Sequence, residues 1–242
     1  MGSAAVAASI AALSGVALFL SLLVLVRFRR NRRRAQLYFG AGLLLVSVTI
    51  AEEALFYVGV TPEVLLSSYV VLVAALVGVL SLGFAELSWH GWRKSLWFLY
   101  VGVVSLAMVV VAVLVPVPAS VVRDGVFTGQ LPPLLTAVSI AVTVPSAMLL
   151  ILGSLYGAVR EHRWNLLYIA LGTIVISAAG ALYLTAFPVS LYYAEFLGVG
   201  LLFLGFTRLP RRDPAATRGF PTPPSELGRT PSPPPRLRGA SS

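Results

Sequence analysis

The sequence predicts an all-α fold: a seven-transmembrane helix bundle with its N-terminus outside, its C-terminus in the cytoplasm and a 3+1+3 parallel repeat. Three observations predict it. Of 242 residues, 58% are hydrophobic and only 11% charged, against roughly 25% charged in a soluble domain. The apolar residues fall into seven long runs, which is the pattern of membrane spans rather than of a soluble core. The basic residues gather in alternate connections between those runs.

The first span is read at Ala4–Val26. The opening MGSAAVAAS has no basic region, so it is expected to be the translocated start of this helix rather than a cleaved signal. The loop RFRRNRRRAQ follows, carrying Arg27, Arg29, Arg30, Arg32, Arg33 and Arg34. The second span, Leu37–Val60, and the third, Val64–Leu87, are parted by Thr61, Pro62 and Glu63, where proline sets a tight break. Arg93 and Lys94 precede the fourth span, Leu96–Val117. In the long loop SVVRDGVFTGQ, Asp124-Gly125 predicts a turn and a small hairpin. The fifth span, Leu134–Ala158, contains Pro145, expected to kink it, with Ser146 beside the freed carbonyls. Arg160 and Arg163 follow. Pro188 parts the sixth span, Leu166–Phe187, from the seventh, Val189–Phe206. Each run is near the ~20 residues that a spanning helix needs.

Residues 208–242 form a separate Pro/Arg-rich segment, expected to be a disordered cytoplasmic tail with no output domain. Its PSPPPR at 231–236 has the form of a polyproline ligand. The seven arginines from Arg208 to Arg238 join those of the first, third and fifth loops on one side, leaving Arg123 on the other. Positive charge marks the cytoplasmic side. Trp89, Trp92, Trp97 and Trp164 fall at that same boundary, where indole rings sit among headgroups. The +9 net charge is therefore a topology signal, and nucleic acid is not an expected partner. The expected setting is the plasma membrane, with the lipid bilayer and a separate cytoplasmic protein as partners.

An internal match supports the repeat. Leu37, Tyr38, Gly42, Ser47 and Ala51 align without a gap on Leu167, Tyr168, Gly172, Ser177 and Ala181. The same offset sets Arg30 and Arg33 on Arg160 and Arg163, and Gly15 on Pro145. After a shorter loop, GVLSLGF at 78–84 matches GLLFLGF at 200–206. The halves are then about 4–87 and 134–206, joined by a linker helix at 96–117, within one domain spanning 1–207. Halves of equal orientation are expected to pack about an axis along the membrane normal.

Carboxyl groups carry the functional expectation. Glu52 and Glu53 in the second span and Glu195 in the seventh lie in the outer half of the membrane. No Lys, Arg or His lies within the spans to pair with them. Such groups are costly in hydrocarbon and mark an ion path, a proton relay or a ligand pocket. Glu52 and Glu53 point about 100° apart on a helix. Thr49, Glu53 and Tyr57 form one polar stripe, so Glu53 is expected to face the interior. Tyr69, Tyr183, Tyr192 and Tyr193 lie at similar depth as hydrogen-bond donors. Near the other boundary, Glu86 is expected to pair with Arg93 or simply to snorkel. The chain has no cysteine, and His90 and His162 lie too shallow for haem. No metal, no other cofactor and no catalytic residue is expected, so an enzyme is the least expected reading.

The seven-span layout is similar to that of light-driven retinal proteins. Lys94, the only lysine, lies in a loop and not in the seventh span, which excludes a retinal Schiff base. The 3+1+3 order resembles the SWEET and PQ-loop transporters in topology but not in motifs: only Pro145-Ser146 remotely resembles their proline motif, and the first span has no proline. The arginine-rich first loop running into RRAQLYFGAGLLL, with the ending AEFLGVGLLFLGFTRLP, resembles the seven-helix membrane regions of prokaryotic sensor proteins over residues 1–210. That resemblance implies a sensory or receptor-like protein binding a small or lipidic ligand, or a proton, from outside. A small-solute or proton-coupled transporter and a non-catalytic assembly subunit are the alternatives.

Overall fold

A computed structural model describes residues 3–123, 126–127, 130–160, 162–183 and 188–207; the side chains of 3–7, 31, 123, 126, 179–183, 188–193 and 195 lie outside that description. Residues 208–242, with the expected tail and its polyproline-like segment, also lie outside it.

Among the described residues of the unit Met1–Leu209, seven α-helices form. They are α1 Ser3–Asn31, α2 Arg34–Tyr57, α3 Glu63–Ser88, α4 Trp92–Leu114, α5 Pro133–Arg160, α6 Asn165–Tyr183 and α7 Pro188–Thr207. The helices α1 to α5 are long and apolar enough to cross a bilayer. For α6 and α7 the described apolar stretches are shorter, Asn165–Ala178 and Phe196–Thr207. The chain is an all-α, multi-pass membrane protein. Between α4 and α5, β1 Val122–Arg123 pairs antiparallel with β2 Val126–Phe127. This pairing closes a hairpin at the expected place, although Asp124 and Gly125 lie outside the described residues.

The breaks between helices follow local chemistry. Arg32 and His162 adopt left-handed backbone, φ 52° and 53°, at the α1–α2 and α5–α6 turns. In both turns an amide then reaches back three residues: Gln36 N–H donates to the Arg33 carbonyl and Leu166 N–H to that of Arg163, each at 2.9 Å. Gly59 and Gly91, with φ of 85° and 65°, supply the turns before α3 and α4. Pro62 caps α3 and Pro188 opens α7, where a missing amide hydrogen costs nothing.

Sequential helices pack together: α1 on α2, α2 on α3, α5 on α6 and α6 on α7. α3 also packs on α5, and α7 returns to α1 and α2, while α4 lies against α3 and α5. α2 is the most enclosed of the five long spans and α4 the most exposed. Small residues allow the close approaches. Gly83 of α3 receives the Phe39 ring from α2, and Gly42 receives Leu80. Between α6 and α7, Gly205 receives Ile169 and Gly172 receives Leu202. Gly153 and Gly157 of α5 admit Phe84 and Leu166, two different neighbours.

Pro145 sits inside α5. Its ring nitrogen cannot donate to the Ala141 carbonyl one turn earlier. Tyr100 of α4 donates to that carbonyl instead, at 2.6 Å. Ser146, expected to serve the freed carbonyls, is fully buried and accepts from Ser81 of α3 at 3.3 Å. Tyr100→Phe should therefore cost about 1 kcal/mol in the parent protein. In a Pro145→Ala background, where the helix can bond that carbonyl itself, the cost should fall toward zero. Thermal unfolding of the four proteins in detergent checks this.

One expectation needs correction at the arginine-rich end. Glu86 pairs with Lys94 at 3.2 Å rather than with Arg93, whose guanidinium lies 6.0 Å from the Trp92 ring centroid. Trp97 is more than a boundary anchor. Its indole N–H donates to the fully buried Ser81 hydroxyl at 3.1 Å.

Candidate functional site

The site is built at the end of the helices where α2 turns into α3. The turn is held by the Val60 amide donating to the Leu55 carbonyl at 3.0 Å, and by Leu65 and Leu66 donating to the Pro62 carbonyl. Glu52 and Glu53 lie only about one turn from the end of α2. Ser68 and Tyr69 lie in the second turn of α3, opposite them.

Both acids are buried, with 7% and 8% exposure for Glu52 and Glu53. The Ser68 hydroxyl lies 2.7 Å from Glu52 Oε1 and donates to it, with the Leu65 carbonyl as a second acceptor at 2.9 Å. The Tyr69 hydroxyl donates to Glu53 Oε1 at 2.6 Å. The other oxygens, Oε2 of Glu52 and of Glu53, are buried with no hydrogen-bond partner among the described residues. Neither acid is ion-paired among those residues.

A buried acceptor without a donor costs about 1–3 kcal/mol. Each of these two oxygens can take a donated hydrogen, the chemistry of a proton or of an N–H or O–H group. Among the described residues no group of three His, Cys, Asp or Glu gathers to hold a metal ion.

Tyr69 links the acids to the connection between α4 and α5. Its ring meets Phe56 of α2 edge-on, with centroids 5.3 Å apart, and tilts against Phe127 of β2 at 5.0 Å. Phe56, Leu66, Val121 and Leu135 form the buried cluster around it. The hairpin thus packs on the aromatic ring that holds Glu53.

The residues of the expected stripe do not share partners. Glu53, expected to face the interior, meets Tyr69 of α3, and Glu52 is no less buried. The two side chains reach different hydroxyls, Glu52 that of Ser68 and Glu53 that of Tyr69. Thr49 is buried but donates to the Val46 carbonyl of its own helix at 2.9 Å, not to an acid. Tyr57 is half-buried against a different apolar cluster from the one around Tyr69. The side chains of Tyr183, Tyr192, Tyr193 and Glu195 lie outside the described residues. Ser68 went unpredicted because a serine in an apolar helix is ordinary in sequence. A stronger signal was its place beside Tyr69, at the depth of the acids.

No protein family, curated protein or solved structure matches the chain.

Proposed function

We propose that this protein is a receptor-like, sensory membrane module. It takes a small ligand or a proton from the outer side at Glu52 and Glu53 and passes the change to a separate cytoplasmic partner. The observation that carries this reading is the pair of buried carboxyl groups, each holding one α3 hydroxyl and each with a second, buried oxygen that has no hydrogen-bond partner among the described residues. The basic loops assign the acid-bearing end to the outside by the positive-inside rule. A donor arriving at the unpartnered oxygens alters what Ser68 and Tyr69 face. Those residues belong to α3, which runs on to the Glu86–Lys94 pair at the opposite end. Glu195 of α7 remains the third candidate acid.

One set of observations favours a transporter. At the offset of the sequence match, Arg32 corresponds to His162, the two non-glycine residues with left-handed backbone among the described residues. The contacts Phe39–Gly83 and Gly42–Leu80 correspond to Ile169–Gly205 and Gly172–Leu202. These correspondences support a seven-span, 3+1+3 parallel repeat, the architecture of some alternating-access carriers.

One experiment separates the readings. The chain is free of cysteine, so Ser88→Cys and Val159→Cys allow a spin-label distance to be measured across the arginine-rich end. Lowering the pH in nanodiscs should shift that distance in the parent and not in Glu53→Gln, with no proton flux in proteoliposomes. Flux that Glu53→Gln abolishes would establish transport. A fixed distance without flux would contradict both.

A further inference from the structure

We infer that the cleft between α5 and α6 is a binding site for a single hydrocarbon chain dissolved in the bilayer. A cavity of about 230 Å³ opens there, bounded by Leu76 and Leu80 of α3, Ala147 and Leu150 of α5, Ile176 of α6 and Leu202 of α7. Ala147 lies near the middle of the 28-residue α5, so the cavity sits close to the centre of the hydrocarbon layer.

The wall is mostly apolar, and Ser177 at its edge adds one hydroxyl. Thr143 and Thr173 line it, but their hydroxyls donate to the Ser139 and Ile169 carbonyls of their own helices, at 2.8 and 2.9 Å. An apolar cavity of this order stays dry and accepts apolar guests. Val144 and Ser177, also lining residues, are exposed, so the cavity has an open edge between the two helices. At that depth the medium outside the edge is lipid tail, which fixes the chemistry of the guest.

The first half of the chain shows the same packing closed. At the offset of the sequence match, Val144, Ala147, Ile176 and Ser177 correspond to Ser14, Ala17, Val46 and Ser47. There the Ser14 and Ser47 hydroxyls each donate to the other's backbone carbonyl at 2.8 Å, clamping α1 to α2. Ala17, Val46 and Ser47 are buried. In the second half valine replaces the first serine, so the reciprocal clamp cannot form. Pro145 replaces Gly15 and interrupts the α5 hydrogen-bond ladder beside the opening. The correspondence rests on the repeat reading; the cavity and its chemistry do not.

The test uses the full chain in phosphatidylcholine nanodiscs with a diazirine-bearing palmitic acid. After irradiation, labelled residues are mapped by peptide mass spectrometry. Labels should concentrate on α5 and α6 around Leu150 and Ile176, and excess unlabelled palmitic acid should remove most of them. Ala147→Phe, which fills the cavity, should lose most of this labelling. Val144→Ser, which permits a clamp with Ser177, should reduce it. Labelling of the exposed Leu106 and Val110 on α4 should not change. If Ala147→Phe does not fold, Val144→Ser and the competition on the parent still decide. Labelling at α5–α6 no greater than on α4, not competed, or unchanged by folded variants would overturn the proposal and leave ordinary surrounding lipid.

Discussion

Gly172→Ala is expected to destabilise the protein by about 1–3 kcal/mol, the range for overpacking a close contact. A Cβ at Gly172 would lie 2.8 Å from the Gly198 carbonyl oxygen and 3.0 Å from the Leu202 amide nitrogen. Both are backbone atoms of α7, so relief requires the two helices to part. Gly42→Ala provides the contrast. Its Cβ would crowd the Leu80 side chain, with Cγ at 2.8 Å and the Leu80 nitrogen at 3.8 Å, and a leucine rotamer can give way. The expected loss is smaller. At Gly15 and Gly102, inside α1 and α4, nothing lies within 4 Å, and alanine there should be neutral or stabilising, by up to about 1 kcal/mol. Thermal unfolding in one detergent ranks the four. If Gly172→Ala behaved like Gly102→Ala, the close approach of α6 and α7 would be wrong.

The second large effect is at the acid pair. Glu53→Leu should cost about 1–3 kcal/mol, because it removes the buried carboxyl to which the Tyr69 hydroxyl donates at 2.6 Å. Glu53→Gln retains an oxygen for Tyr69 and should cost less. Combining Glu53→Leu with Tyr69→Phe removes both partners. A cycle over these variants should return a coupling of about 0.5–3 kcal/mol, as contacting residues do. Additive losses would show that the 2.6 Å hydrogen bond does not hold α2 to α3.

Much of the fold was legible because its signals are local. Length and hydropathy mark the five long spans, and Pro62 and Pro188 mark helix starts through the missing amide hydrogen. Asp124-Gly125 marked the hairpin whose flanking residues Val122 and Phe127 are paired. What was not legible depends on neighbours. About 100° between Glu52 and Glu53 suggested that one would leave the interior, but both are buried with hydroxyls of α3 as partners. Arg93 and Lys94 are equal as charges in the sequence; only the folded turn selects Lys94 for Glu86. The α5–α6 cavity was hidden for the same reason. It depends on a pair of facing positions, Val144 and Ser177, whose meaning appears only beside the clamped Ser14 and Ser47.

If the unpartnered oxygens of Glu52 and Glu53 form a responsive site, infrared difference spectroscopy across about pH 4 to 9, the range that brackets carboxyl titration in proteins, should reveal it. The expected result is a carboxyl C=O band in nanodisc-embedded protein that changes with pH and is missing from the Glu52→Gln, Glu53→Gln double variant. A parent spectrum with no carboxyl change beyond that of the double variant would contradict it, and the two acids would then serve only to join α2 to α3.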